Sequence, residues 1–208
     1  ENWEEDRREI LEAVNNPEDP SAGNRGIVFS RELWIEEEDF EETPPPQYYR
    51  LFPGNSVRLR YAYIITCTGF DRDPVTGRVS AVRAVYDPAT KGGNASDNRK
   101  VKSTIHWVSV SDSIPLEARL YDYLFSTDRP MDVPDGGSFL DNLTPDSLEI
   151  VRGYGEPSLA LAAPEDRYQF ERLGYFTRDR DTVDGMPVFN KTLGLRDTWA
   201  KIKRKKSP

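Results

Sequence analysis

The sequence predicts an all-β fold, and three observations carry the prediction. Apolar and polar residues alternate with a period of two through residues 57–68, 78–86 and 100–109, the mark of half-buried strands. Sixteen prolines and fourteen glycines are spread along the chain, which favours many short strands between turns over long helices. Nine Phe, ten Tyr and four Trp supply a core that the 37% apolar content alone would leave thin. Strands of this kind leave open edges, and closing the sheets, or nearly closing them, into barrels manages those edges.

The elements follow in order. Trp3, Arg7, Ile10, Leu11 and Val14 fit one helical face, but residues 10–14 equally fit a short strand ending at Asn15-Asn16-Pro17. Residues 17–26 carry turn chemistry. Residues 27–35 read as a strand interrupted near Ser30-Arg31. The charge run at 36–42 reads as a solvated surface turn, and Pro44-Pro45-Pro46 stiffens the approach to Gln47. Residues 57–68 form one strand and 78–86 a second, joined through the turn Asp73-Pro74-Val75-Thr76-Gly77. After a polar loop at 87–98 a third strand covers 100–109, so the three make an antiparallel meander. Residues 114–125 fit a short helix or a strand. Strands follow at 148–151, 168–177 and 187–195, and Thr198-Trp199 closes the core.

Composition narrows the chemistry. One cysteine, Cys67, excludes an internal disulfide, and with the single His106 it excludes the common zinc sites. No Ser-His-Asp or Cys-His pairing extends beyond His106, and no phosphate-cradling glycine motif occurs. The sequence therefore predicts neither catalytic residues nor a metal site here. No stretch reaches the roughly 20 apolar residues of a membrane-spanning helix, so no membrane partner is expected, and a reducing cytoplasm is the expected compartment. The net charge of −8 hides an asymmetry: residues 1–42 hold 15 acids and 4 bases, and the remainder holds 21 acids and 24 bases, including a basic tail at 201–208. Local field decides recognition more than the total.

Four constellations suit RNA. Arg58 and Arg60 stand two apart on a strand and leave it on one face, a receptor for anions or base edges; the ordinary alternative is a pair of solvated arginines. Gln47-Tyr48-Tyr49-Arg50 combines an amide, two rings and a guanidinium, the groups that hold unstacked bases; the alternative is a strand start with a packed Tyr. Tyr168-Gln169-Phe170-Glu171-Arg172 repeats the mixture. Gln169 and Arg172 reach one ligand only if the strand bulges or ends there, which Gly174 would assist. Lys100, Lys102 and His106 could track phosphates along one strand face.

Several stretches together resemble one family. They are Phe29-Ser30-Arg31-Glu32-Leu33-Trp34-Ile35, Gln47-Tyr48-Tyr49-Arg50-Leu51, Val57-Arg58-Leu59-Arg60-Tyr61-Ala62-Tyr63, Arg99-Lys100-Val101-Lys102-Ser103-Thr104-Ile105-His106-Trp107-Val108-Ser109, Gly155-Glu156-Pro157-Ser158-Leu159, Tyr168-Gln169-Phe170-Glu171-Arg172 and Gly194-Leu195-Arg196-Asp197-Thr198-Trp199-Ala200-Lys201. In this order they resemble the C-terminal anticodon-binding region of glutaminyl-tRNA synthetases. The resemblance implies two β-barrels like those of a small ribosomal-RNA-binding protein, one inserted in the other: an outer barrel from 1–45 plus 115–200 and an inner one from 46–114. It implies a cytoplasmic, monomeric parent enzyme that joins glutamine to its tRNA with ATP and magnesium on a separate catalytic domain. The adenylate-binding signatures of that domain do not occur here, and the chain opens at Glu1-Asn2-Trp3 without Met, so a fragment without cofactor of its own is expected. By position, Arg50 resembles the reader of the third anticodon base, a guanine. Gln169, Glu171 and Arg172 resemble the pocket for the middle uracil. Arg58 and Arg60 resemble contacts to the first anticodon base and its phosphate, and Gln47 and Thr198 further loop contacts. Tyr49 departs from the family, standing where some members carry lysine. The related module of a glutamyl-tRNA synthetase, and a free-standing ribosomal-RNA-binding barrel, are the alternatives.

Overall fold

A computed structural model describes residues 1–92 and 100–195. Among them the regular structure is thirteen strands and six short 3-10 turns. The chain divides into two compact units, Glu1–Ser113 and the part from Ile114 onward.

The first unit holds β1 (Glu9–Val14), β2 (Asn24–Phe29), β3 (Leu33–Trp34), β4 (Ser56–Leu59), β5 (Ile64–Arg72), β6 (Val79–Asp87), β7 (Thr104–Ile105) and β8 (Val108–Ser109). β1 pairs with β2, β3 with β8, and the order β6-β5-β4-β7 makes a four-stranded sheet in which β4 and β7 run parallel. Residues 10–14 are strand, not helix: Leu11 and Ala13 are buried while Ile10 is 74% exposed, a period of two.

The expected single strand at 57–68 is two strands. The Leu59 amide donates to the Tyr63 carbonyl at 2.8 Å, and the Ala62 amide to the Leu59 carbonyl at 2.9 Å. Tyr61 takes a φ of +60° to make this turn, an uncommon conformation for a residue with a Cβ. Burial changes phase there: Val57 and Leu59 are buried alternately, then Ala62, Tyr63 and Ile64 in a row. The predicted hairpin turn at 73–77 is present, with Asp73 Oδ1 accepting from the Val75 and Thr76 amides. The expected strand at 100–109 is reduced to β7 and β8. Its backbone still serves β4, since Ser103 and Ile105 carbonyls accept from the Arg58 and Arg60 amides at 2.9 and 3.0 Å.

Trp3, Leu11, Phe29, Leu51, Val57, Leu59, Tyr63, Ile105 and Trp107 form one core. Phe29 meets Trp3 and Trp107 edge to face at 4.7 and 5.1 Å, the geometry aromatic quadrupoles favour. The N-terminal hairpin thus shares its core with residues of 46–114, whereas the sequence reading grouped it with 115–200.

The second unit is one five-stranded sheet of β9 (Ile114–Tyr121), β10 (Leu148–Gly155), β11 (Arg167–Phe170), β12 (Gly174–Val183) and β13 (Met186–Gly194), in the order β10-β9-β13-β12-β11. The ambiguous stretch from Ile114 is a strand, its Leu116 and Ala118 turned into a core with Leu159, Phe176 and Phe189. The expected strand at 168–177 is a hairpin, β11 and β12, that reverses at 171–173. Thr198, the Thr198-Trp199 pair and the basic tail lie outside the described residues.

Candidate nucleic-acid interface

In the first unit the segment after the proline run is fixed from both sides. The Tyr48 amide donates to the Pro45 carbonyl at 3.1 Å, and Asn55 Nδ2 donates to the Arg50 carbonyl at 2.6 Å. Gln47 adopts a φ of +68° and stays exposed, while Tyr48 beside it is buried and its hydroxyl donates to the Glu38 carbonyl at 3.0 Å. Of the two tyrosine rings, Tyr48 is therefore the packed one and Tyr49 the exposed one. Lys102 holds its ammonium 4.4 Å from the centroid of the Tyr49 ring, a cation–π distance. A lysine from another segment thus supplies a positive charge beside the exposed ring.

Arg50 is mostly covered. Its side chain is 13% exposed, its Nη1 donates to the Glu38 carbonyl at 3.2 Å, and the same nitrogen lies 3.7 Å from Glu38 Oε2 and 3.6 Å from Asp39 Oδ1. Asp39 is wholly buried. The charge run at 36–42 is therefore not only a solvated turn: its 3-10 turn, Glu37–Asp39, folds one carboxylate inward beside Arg50. Composition hid this because six acids in seven residues read as surface; the one local signal is Phe40 directly after Asp39, an aromatic anchor that packs on Phe70 at 5.4 Å.

Arg58 and Arg60 are both half-buried and alternate with the buried Val57 and Leu59, the same-face placement expected of them. Arg58 lies in β4; Arg60 stands one residue past it, its guanidinium 5.1 Å from the Tyr61 ring centroid and its carbonyl accepting from Trp107 Nε1 at 2.9 Å.

In the second unit β11 splits its residues cleanly. Tyr168 and Phe170 pack on Phe189 and Phe176, so the intervening Gln169 is exposed. The strand ends here, one of the two ways, bulge or end, by which Gln169 and Arg172 could face one ligand: the Leu173 amide donates to the Phe170 carbonyl at 2.9 Å, and Arg172 has a φ of +64°. Glu171 and Arg172 are half-buried in that turn. Gly174 follows with a φ of +147°, where a Cβ would stand 2.4 Å from the Leu193 carbonyl. Among the described residues no group of three His, Cys, Asp or Glu is placed to hold a metal, and no helix is long and apolar enough to cross a membrane.

Strand ends and turns that present amides, rings and guanidinium forks are how β-scaffolds hold unstacked bases, and the arrangement suits an RNA-binding β-module. Two family models, both described as the anti-codon binding domain of class I (E and Q) tRNA synthetases, match residues 1–87 and 104–179. The chain belongs to that family. It is 54% identical over 202 residues to a glutamine–tRNA ligase of Nitrobacter hamburgensis, covering 97% of this chain and 35% of the relative. It is 52% identical to the enzyme of that name from Cupriavidus necator, covering 96% and 34%, and 50% identical to that of Rhodopirellula baltica, covering 98% and 34%. The chain thus spans about a third of the length of these relatives.

Proposed function

We propose that this chain is the part of a glutamine–tRNA ligase that reads the anticodon loop of glutamine tRNA, while the parent enzyme joins glutamine to that tRNA with ATP and magnesium. The observation that carries the reading is identity of 50–54% to glutamine–tRNA ligases, sustained over 96–98% of this chain. The family description covers glutamate and glutamine enzymes alike; the relatives' names favour glutamine. In this reading Arg50 takes the third anticodon base, a guanine, whose O6 and N7 suit a guanidinium fork. Gln169, Glu171 and Arg172 take the middle uracil, with Glu171 bracing the arginine. Arg58 and Arg60 take the first base and its phosphate, and Gln47 and Thr198 hold the loop further. The parent enzyme is cytoplasmic and works as a monomer.

Titrating the chain with stem-loops whose anticodons end in UG or UC tests this at fixed, moderate salt. The UG loop binds more tightly, and Arg50→Ala lowers its advantage by about 1–3 kcal/mol, the range of one bidentate contact. Equal affinity of the unmutated chain for both loops counts against the reading.

A further inference from the structure

We propose that Asp39 is the positioning residue of Arg50: its buried carboxylate orients the guanidinium before RNA arrives, and so sets specificity for the third base more than affinity for the loop. The inference rests on the reading of Arg50 as the contact to that base.

A carboxylate withdrawn from water is costly unless charge and hydrogen bonds compensate it. Asp39 is 0% exposed and has Arg50 Nη1 at 3.6 Å from its Oδ1. The two side chains also hang from clamped backbone. The Asp39 amide donates to the Glu36 carbonyl at 2.9 Å, and the Asp39 carbonyl accepts from the amide of Leu51, the residue directly after Arg50, at 2.8 Å. The Leu51 carbonyl in turn accepts from Glu41 at 3.0 Å. Carboxylate and guanidinium are therefore held in one register by bonds that flank both. Glu38 contributes differently: its carbonyl accepts from both Tyr48 and Arg50, but its carboxylate is 52% exposed and screened by solvent. A guanidinium carries five donors in a fixed fork. Holding Nη1 toward Asp39 fixes the direction of the whole fork. An arginine ordered in advance loses less rotamer freedom on binding, and the advantage falls on the base whose acceptors match that direction.

The test is a double-mutant cycle read on the ratio of affinities for UG and UC stem-loops. Asp39→Asn keeps the shape and removes the charge. The expected result is a ratio lowered about tenfold, within the range of one lost bidentate contact, with the UC affinity little changed. In an Arg50→Ala background Asp39→Asn lowers the ratio no further. If Arg50→Ala abolishes the ratio while Asp39→Asn leaves it intact, positioning is overturned and the Arg50 reading stands. Equal weakening of both loops by Asp39→Asn assigns it a structural role and also overturns positioning. If Arg50→Ala leaves the ratio intact, the reading of Arg50 falls and the inference with it. Should Asp39→Asn not fold, arginine side-chain NMR relaxation on the unmutated chain decides. An Arg50 guanidinium ordered on the nanosecond scale without RNA is expected, and a freely mobile one overturns the proposal.

Discussion

Glu9 in β1 ties three segments of the first unit together. Its carboxylate accepts from Lys91, from the Tyr63 hydroxyl at 2.9 Å and from Arg7 at 3.0 Å. The Lys91 hydrogen bond above all holds its carboxyl below the usual range; partial burial opposes this, and the Lys91 and Tyr63 bonds together outweigh it. A carboxyl lowered on folding stabilises the native state above its unfolded value, and that contribution disappears as pH falls through the lowered folded value. Tyr63 has the opposite sign. Burial first, then its bond to Glu9, pushes its hydroxyl up to about 12 from 10.0. Its share is therefore complete below pH 10 and lost as pH rises toward 12. Urea unfolding of Glu9→Gln against the unmutated chain is expected to show a stability gap at neutral pH that closes on the acid side, below about pH 4.5. A gap of constant size from neutral pH to pH 3 would refute the assignment.

Turns decide where the arginines and glutamines of the candidate interface stand, and turns were the least legible elements in the sequence. The alternation of 57–68 reads as one strand where the structure has two, and no Gly, Pro or Asn marks the reversal at 60–63, because Tyr61 makes it with a positive φ. The same holds at 10–14, where the spacing of Ile10, Leu11 and Val14 fits a helix as well as a strand, and pairing with β2 selects the strand. The alternation of Arg58 and Arg60 with buried apolar neighbours was legible, since period two is a local property. The inward turn of Asp39 was not, since it depends on pairing between 39–41 and Leu51. Gly174 is legible in part: the sequence suggests it would help end a strand, and the structure gives the reason in the Leu193 carbonyl, which stands where a Cβ would have to go. Gly174→Ala should therefore cost at least about 1–3 kcal/mol, the scale of one strained backbone residue, and should displace Glu171 and Arg172. Gly153→Ala in β10 is the control, with nothing within 4 Å of the added methyl. Denaturant unfolding of both variants checks this, and equal stability of the two would remove the role given to the Leu193 contact.

At the scale of the whole molecule, a chain of net charge −8 that reads an anticodon loop, as proposed, does so against its own field. Residues 1–42 hold all of the excess acid, the remainder being net basic, and Glu4, Glu5 and Asp6 are exposed within them. At roughly 0.01 M salt the screening length is about 30 Å, so such charges act across a domain; near 0.15 M it is about 8 Å and they act only locally. Repulsion of this kind penalises every RNA alike, whereas base contacts reward the matching one, so an acidic background lowers all affinities together, weakens non-specific binding and leaves the base contacts to decide which RNA is held. The proposed function then predicts a specific change. Replacing Glu4, Glu5 and Asp6 with Gln, Gln and Asn should raise affinity for an unrelated single-stranded RNA several-fold at low salt. The effect should fade at physiological salt, and the ratio between UG and UC stem-loops should stay unchanged, because both loops carry the same phosphates. Filter-binding or fluorescence titrations at the two salt concentrations read all three quantities. If the substitutions leave binding to unrelated RNA unaltered at low salt, the acidic segment plays no part in selectivity, and discrimination rests on the base contacts alone.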